Sequence, residues 1–324
     1  MQLKEILKAY ARVCRMEYVP LEAPGVFVPL FLASTSLQDL LNVHVAEALA
    51  IFMLLFFSGF IINALADREV DSKYKTFVSD SVNILGEKTM MGLLISHVAI
   101  ALLLALHLSI AYNNYWLFTS VVIATFFGLA YSVKPFHFKI RGALQFSLMI
   151  FSIIMVSLVY YVIGGTPTIP VLFVFLSFLI VHHGIELVNQ TQDYIEDKEV
   201  GLRTPAVRWG ITNTLGASLV LTITGIILGF VGFYILFRNL SSLTIIGITI
   251  GFEVLFAVTL IVLLIAYYIP LKGTYRFILM SLKHISNEEK IKIIRNQLNY
   301  PRWQLTGILG ITFVTTLFFI WKIA

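Results

Sequence analysis

The sequence predicts an all-α integral membrane protein with nine transmembrane helices around a central cavity and a cytoplasmic N-terminus. Of its 324 residues, 58% are apolar and only 13% are charged, and the mean hydropathy is +0.88. A soluble domain of this size carries roughly a quarter charged residues. Apolar runs of about 20 residues recur along the chain, which is long enough for a helix to cross the hydrocarbon core of a membrane.

The N-terminal segment, residues 1–21, is expected to lie outside these spans. Its basic residues at positions 4, 8, 12 and 15 predict an amphipathic segment on the membrane surface. It lacks the apolar core and the cleavage site of a signal peptide. The single cysteine, Cys14, excludes an internal disulfide and any metal site built from several cysteines.

Nine apolar spans are predicted after this segment, and their inner ends are identified by charge. The spans cover about 22–39, 44–66, 89–111, 114–132, 142–163, 168–192, 211–237, 242–269 and 303–322. With the N-terminus inside, all but two of the 23 lysines and arginines fall on the inner side. The two exceptions are Arg238 and Lys322. This distribution follows the positive-inside rule, and it predicts both the number of spans and their orientation in the cell membrane.

The chain is predicted to form a single transmembrane domain over residues 1–324. Residues 270–302 form the longest predicted connection, a cytoplasmic segment containing the amphipathic stretch "SNEEKIKIIRNQL". The net charge of +5 is explained by basic residues on the inner side of the membrane. We therefore expect contact with membrane lipid, no nucleic-acid partner and no obligate protein partner.

One spacing pattern, Asn-x3-Asp-x3-Asp, occurs twice, at the inner ends of the second and sixth predicted spans. The first copy is Asn63, Asp67 and Asp71, and the second, 126 residues later, is Asn189, Asp193 and Asp197. Residues four apart on a helix differ in direction by only about 40°, so each copy should occupy one helix face. If the two helices face each other, four carboxylates and two amides converge on one pocket.

Such a concentration of carboxylates repels itself unless it holds a cation. Oxygen ligands of this kind suit Mg²⁺, which binds through one or two carboxylates together with substrate phosphate oxygens. The pattern therefore predicts a site with two Mg²⁺ ions for a diphosphate. The alternative, that these are ordinary solvated residues at helix ends, explains a single copy better than it explains two matching copies.

Basic side chains follow each acidic motif on the inner side. Arg68 and Lys75 accompany the first motif, and Arg203 accompanies the second. The loop "YSVKPFHFKIRG" between the two motifs adds Lys134 and Lys139. Cations placed here would stabilise the charge that develops on a departing diphosphate.

These residues resemble the UbiA superfamily of intramembrane prenyltransferases over nearly the whole chain. The resemblance lies in "NALADREVD", in the loop "YSVKPFHFKIRG" and in "NQTQDYIEDKEVGLRTPAVRWG". It implies a Mg²⁺-dependent enzyme that transfers an isoprenyl group from a prenyl diphosphate to a lipophilic acceptor within the membrane.

The resemblance also implies a role for each matching residue. The metal ligands would be Asp67, Asp71, Asp193 and Asp197, assisted by Asn63 and Asn189. Arg68 and Lys139 would contact the diphosphate. Tyr131 would lie near the reacting carbon, where an aromatic face can stabilise positive charge.

Three assignments stay open at this stage. The segment "SKYKTFVSDSVNILG" lacks an Arg-Pro pair that many members carry, and Lys75 is the candidate replacement. The spacing in the loop leaves a choice between Lys134 and Lys139. Glu186 either contacts metal or acceptor, or bonds to a neighbouring helix.

The acceptor is not selected by any motif; a quinone precursor or an archaeal glycerol phosphate lipid ranks first. The alternative function is a secondary transporter whose acidic motifs bind a transported cation, which would predict charged residues near the middle of the membrane. Outside the motifs, His97 and His107 are expected to be structural.

Overall fold

The fold was obtained as a computed structural model, which describes residues 3–74, 76–240, 243–245 and 248–323. The α-helices in chain order are α1 (Leu3–Val13), α2 (Ala23–Ala33), α3 (Val43–Ala66), α4 (Arg68–Tyr74), α5 (Thr76–Leu85), α6 (Glu87–Ala111), α7 (Tyr115–Ala130), α8 (Leu148–Gly164), α9 (Ile169–Gln190), α10 (Tyr194–Glu199), α11 (Pro205–Trp209), α12 (Ile211–Arg238), α13 (Phe252–Ser281), α14 (Asn287–Gln297) and α15 (Tyr300–Ile323). Short 3-10 helices cover Met16–Glu22, Gln38–Leu41, Phe138–Ile140, Gly142–Ser147 and Thr191–Asp193.

Within the described part of the chain, eight helical segments are long and apolar enough to cross a membrane. The first runs over Met16–Ala33, earlier than the predicted span 22–39, because the chain turns after Ala33. Asp39 holds this turn by accepting a hydrogen bond from the Thr35 backbone N–H at 2.6 Å. The predicted fourth span is α7, an apolar helix of only 16 residues. The count of nine spans and the cytoplasmic N-terminus stay predictions.

The chain is helical, as predicted, with a local departure around residue 245. Strands β1 (Leu243–Ile245) and β2 (Ile248–Ile250) pair antiparallel in a short hairpin, with Leu243 opposite Ile250. The residues of this stretch are mostly isoleucine and threonine, and β-branched side chains favour strands. Helix α13 therefore begins at Phe252, later than the predicted start of the eighth span at 242.

The predicted inner segment 270–302 is also shorter than expected. Helix α13 continues through Pro270 to Ser281, and α15 begins at Tyr300. Packing between these two helices outweighs the proline, since Gly307 lies under the ring of the fully buried Tyr267. The stretch predicted to be an amphipathic helix is indeed helical, as α14.

The helices form two compact units, and the first comprises Met1–Glu22 and Leu41–Val162. In this unit α3 and α6 are antiparallel neighbours. The N-terminal helix α1 packs its apolar face into the same core, where Ala9 and Val13 join Ile61, Val82 and Met90. Protein thus covers part of the apolar face of α1, whereas Leu3 and Leu7 are exposed, and the position of this segment on the membrane surface stays a prediction.

The second unit comprises Ala23–Leu40 and Ile163–Ala324. Its closest helix pair is α9 and α12, which approach through small residues. A Cβ added at Gly225 would lie 2.6 Å from Val181 Cγ2 and 2.7 Å from the Ser177 carbonyl oxygen. The Ser218 hydroxyl of α12 donates to the Gly184 carbonyl of α9 at 2.6 Å. Small residues of this kind allow membrane helices to pack backbone against backbone.

Candidate active site

The first acidic motif lies where α3 passes into α4. Helix α3 ends at Ala66 and Asp67 is its C-cap residue. The Asp67 N–H donates to the Asn63 carbonyl at 2.9 Å, and the Asp71 N–H donates to the Asp67 carbonyl at 2.8 Å. These bonds continue the four-residue spacing of an α-helix across the boundary, and the shared face of the three side chains stays a prediction.

Lys139 is held directly on this motif. Its ammonium donates to Asn63 Oδ1 at 3.2 Å and forms an ion pair with Asp67. The Ser132 hydroxyl donates to the same Asn63 oxygen at 3.0 Å. Only 13% of the Lys139 side chain and 17% of the Asp67 side chain are exposed, and Asp71 is 7% exposed. Carboxylates with so little solvent require a positive partner.

The loop after α7 explains why Lys139, and not Lys134, reaches the motif. The Lys139 N–H donates back to the Tyr131 carbonyl at 3.1 Å, and the His137 N–H donates to the Val133 carbonyl at 2.7 Å. The loop therefore folds back on the end of α7, while Lys134 stays exposed. Tyr131 caps α7, directly before the Ser132 that bonds Asn63.

His137 is a polar residue of this loop that the sequence did not single out. Burial lowers the pKa of its imidazole, and the charges of Lys139, Lys134 and Arg141 lower it further, against an opposing effect of Asp67. A histidine next to basic residues is therefore kept neutral here. Its position two residues before Lys139 is the sequence feature that could have identified it as a residue of the site.

Arg68 takes part in a different set of contacts. Its guanidinium donates to Asn83 Oδ1 at 2.8 Å and forms an ion pair with Glu87, the first residue of α6. The residues around it line a cleft of about 510 Å³: Leu65, Ala66, Arg68, Glu69, Ser72, Ser79, Asn83 and Glu87. Glu87 and Asn83 were not predicted as partners. Lys75 lies outside the described residues.

The second acidic motif differs from the first in its backbone. Helix α9 ends at Gln190, a 3-10 turn covers Thr191–Asp193, and α10 starts at Tyr194. A 3-10 turn has about 3.0 residues per turn instead of 3.6, so Asp193 is rotated relative to its place on a continuous α-helix. That the three side chains of this copy share one face stays a prediction.

Glu186 and Asn189 belong to a chain of hydrogen bonds that reaches α15. Tyr300 of α15 donates to Glu186 Oε2 at 2.7 Å, and Gln304 Nε2 lies 3.2 Å from the Tyr300 hydroxyl. The Asn189 amide lies 3.5 Å from the Glu186 carboxylate, and Gln192 donates to Asn189 Oδ1 at 2.8 Å. Of the two alternatives for Glu186, the bond to a neighbouring helix is present.

Asp197 is positioned by the Gly-x-Arg-Thr segment that follows it. The Thr204 hydroxyl donates to Asp197 Oδ2 at 2.8 Å, and the Leu202 N–H donates to the Asp197 carbonyl at 2.8 Å. Gly201 has φ of +73°, a conformation that glycine adopts without steric cost. This turn returns the chain to Asp197, and Arg203 stays exposed.

The donor set of both motifs fits a hard divalent cation. It consists of carboxylate and amide oxygens, which are ligands that Mg²⁺ prefers. In the first motif, the ammonium of Lys139 already forms an ion pair with Asp67. The convergence of the two motifs on one pocket stays a prediction.

Comparison with known proteins agrees with this chemistry. The profile of the UbiA prenyltransferase family matches residues 23–276. A UbiA homolog from Archaeoglobus fulgidus bound to GPP and Mg²⁺ superposes with a TM-score of 0.57 at 18% identity, covering 97% of this chain and 98% of that one. The same homolog bound to DMAPP and Mg²⁺ gives 0.57 at 19% identity, with 97% of each chain covered.

A structure described as digeranylgeranylglyceryl phosphate synthase in membranes gives a TM-score of 0.56 at 19% identity, covering 95% of this chain and 99% of that one. A search of curated proteins gave no match. The similar structures share the fold, and the family profile covers most of the chain. The protein therefore belongs to the UbiA prenyltransferase family and is an integral membrane prenyltransferase.

Proposed function

We propose that the whole chain acts as one prenyltransferase domain, which uses Mg²⁺ to move an isoprenyl group from a prenyl diphosphate to a lipophilic acceptor. The observation that carries this proposal is the buried group of Asn63, Asp67 and Lys139. This group combines oxygen ligands for a metal ion with a cation that can contact a phosphate oxygen. Binding and cleavage of a prenyl diphosphate require both.

The metal ligands in this proposal are Asp67, Asp71, Asp193 and Asp197, which would hold two Mg²⁺ ions. Bound Mg²⁺ would neutralise charge that develops on the diphosphate as its bond to carbon breaks. Asn63 and Asn189 would assist through their amide oxygens. Thr204 would orient the Asp197 carboxylate, since it donates to Oδ2 at 2.8 Å.

The remaining residues act on the substrates. Lys139 binds the diphosphate, and the exposed Lys134 and Arg203 attract it from the cytoplasmic side, together with Lys75. Arg68 reaches the diphosphate only after it leaves Glu87 and Asn83. Tyr131 presents an aromatic ring to the allylic cation.

The acceptor we propose is an archaeal glycerol phosphate lipid or a quinone precursor. One of the similar structures is a digeranylgeranylglyceryl phosphate synthase, which supports testing the glycerol phosphate lipid first. Glu186 is the residue we expect to influence the acceptor, through the hydrogen bond that it accepts from Tyr300.

The test uses the full-length protein in lipid nanodiscs with radiolabelled geranylgeranyl diphosphate, Mg²⁺ and both acceptor classes. Asp67→Asn and Asp193→Asn should each lower the rate of prenyl transfer by roughly 100-fold or more. Each substitution removes a negatively charged ligand of the Mg²⁺ ions that stabilise the departing diphosphate. Asp80→Asn, at an exposed aspartate of α5, is the matched control and should keep full activity.

Chelation with EDTA should abolish transfer, and added Mg²⁺ should restore it. Metal-dependent diphosphate binding that survives both motif substitutions would contradict the site. Tight diphosphate binding without transfer to either acceptor class would contradict the proposed acceptors and leave the metal site standing.

A further inference from the structure

A second cluster of metal-ligating side chains lies at the opposite end of α3 from the acidic motif. His44 and Glu47 lie near the start of α3, and His107 lies near the end of α6. The side chains of all three each offer one ligand atom, and these atoms lie within 4.8 Å of one another. Asp67 follows His44 by 23 residues, which is about 35 Å along a helix. The cluster is therefore separate from the acidic motif.

The carboxylate of Glu47 lies between the two imidazoles. Its Oε2 is 3.0 Å from Nδ1 of His44, and its Oε1 is 3.0 Å from Nδ1 of His107. His44 and Glu47 are three residues apart, so they project from the same side of α3. One candidate ligand thus comes from α6 and two come from α3, so an ion bound by all three would link the two helices.

The histidine of α3 is held in place by its surroundings. The backbone N–H of His44 donates to the N-cap oxygen of Asn42 at 2.9 Å, which starts the helix at this position. The ring of Tyr112 packs edge-on to the His44 ring with centroids 5.3 Å apart. Tyr112 is itself fixed, because its hydroxyl donates to the Val162 carbonyl at 2.6 Å. In metal sites, ligand side chains are typically held in position by contacts of this kind with neighbouring residues.

The chemistry of this set differs from that of the acidic motifs. Two imidazoles and one carboxylate suit a transition-metal ion, and zinc in particular is bound by two histidines and one glutamate with a fourth position open. Mg²⁺ prefers oxygen ligands and is a poor match for two nitrogen donors.

We propose that His44, Glu47 and His107 bind one divalent transition-metal ion of the zinc class, which joins the ends of α3 and α6. The ion replaces the hydrogen-bonded contacts of Glu47 with three coordinate bonds. It leaves one coordination position for water.

The experiment uses Co²⁺ as a spectroscopic probe and Zn²⁺ for stoichiometry. Full-length protein in detergent is stripped with chelator and exchanged into buffer with excess Mg²⁺, which occupies the acidic motifs. Titration with Co²⁺ should then give the d–d absorption of a low-coordinate site. Zn²⁺ should displace the Co²⁺ at one ion per chain, measured by elemental analysis.

Glu47→Gln and His107→Gln should weaken Co²⁺ binding by roughly 100-fold or more, since each removes one of three ligands. His107 is well exposed, so its replacement leaves the helix core intact. His284→Gln, at an exposed histidine outside the cluster, and Asp67→Asn should both keep the Co²⁺ spectrum. Circular dichroism of each variant checks the fold.

Absence of saturable Co²⁺ binding in the presence of Mg²⁺ would overturn the proposal. Equal Co²⁺ binding by the parent protein and by folded His107→Gln would overturn it as well. Loss of the Co²⁺ spectrum in Asp67→Asn with retention in His107→Gln would assign the ion to the acidic motif instead, which also overturns it. None of these outcomes depends on whether prenyl transfer is observed.

Discussion

Lys139 forms an ion pair with Asp67, one of the proposed metal ligands. The ion pair is mostly buried, so removal of the ammonium leaves a carboxylate with little solvent and no strong partner. The same ammonium also donates a hydrogen bond to Asn63, which places the positive charge of the loop directly beside the first motif. These two properties make Lys139 a test of the site at the level of one side chain.

Lys139→Ala should lower the rate of prenyl transfer by roughly 100-fold, because it removes a preorganised donor to the leaving group. Lys134→Ala, three residues from Tyr131 in the same loop and exposed, is the matched control and should change the rate by less than about threefold. Initial rates at saturating prenyl diphosphate measure both. Equal losses in the two variants would argue against a specific role for Lys139.

The choice between these lysines could not be made from spacing, since it depends on how the loop returns to Tyr131. The role of Glu186 was open for the same reason: its partner Tyr300 lies more than a hundred residues away in the sequence. The acidic residues were predictable because their spacing repeats. Ser132, whose partner Asn63 lies 69 residues away in the sequence, carried no repeating signal.

At the scale of elements, α9 and α12 depend on glycines where the two backbones approach. Gly225 has neighbours within 2.7 Å of an added Cβ, whereas an added Cβ at Gly216 of the same helix would meet no atom within 4 Å. Gly225 therefore lies in a tight helix contact, whereas Gly216 lies in open space. Comparing alanine substitutions at the two positions distinguishes the effect of helix packing from the effect of helix propensity.

Gly225→Ala should destabilise the protein by about 1–3 kcal/mol, because the new methyl group overlaps Val181 and the Ser177 carbonyl. Gly216→Ala should be neutral or stabilising by up to about 1 kcal/mol, since alanine has the higher helix propensity. Thermal unfolding in detergent, followed by circular dichroism, measures both changes. A Gly225→Ala protein as stable as the parent would show that α9 and α12 tolerate wider spacing.

Helix positions were predicted well where apolar runs end in polar residues, as at Asn63 and Asn189. They were predicted poorly around residue 245 and at Pro270. In the first case β-branched residues are apolar enough to resemble a span, and hydropathy does not distinguish helix from strand. In the second, contacts with α15 continue a helix that a proline would be expected to end.

At the scale of the whole molecule, the orientation of the protein in the membrane decides whether the predicted inner loops can reach a substrate in the cytoplasm. The chain offers a favourable background for chemical labelling, because its single cysteine, Cys14, is buried. Burial raises the pKa of the Cys14 thiol to about 11, against a lowering effect of its hydrogen bond with Tyr10. Reaction of this thiol with maleimides should therefore be slow.

Lys134→Cys should react with a membrane-impermeant maleimide in inverted vesicles and be protected in right-side-out vesicles. Thr166→Cys, in the exposed connection between α8 and α9, should show the opposite pattern. Both follow from the predicted placement of basic loops on the cytoplasmic side. The parent protein measures background from Cys14, and labelling of both variants from one side would contradict the proposed topology.

The pair formed by α3 and α6 has contacts between polar side chains at both of its ends. Arg68, two residues beyond the end of α3, forms an ion pair with Glu87 at one end, and Glu47 contacts His107 at the other. Sliding one helix along the other by a single turn, about 5.4 Å, would break both contacts at once. The axial register of this pair is thus determined twice, at two points separated by the length of the helix. It follows that loss of the His107 contact alone leaves the Arg68–Glu87 ion pair in place to hold the height of Asp67 relative to α6.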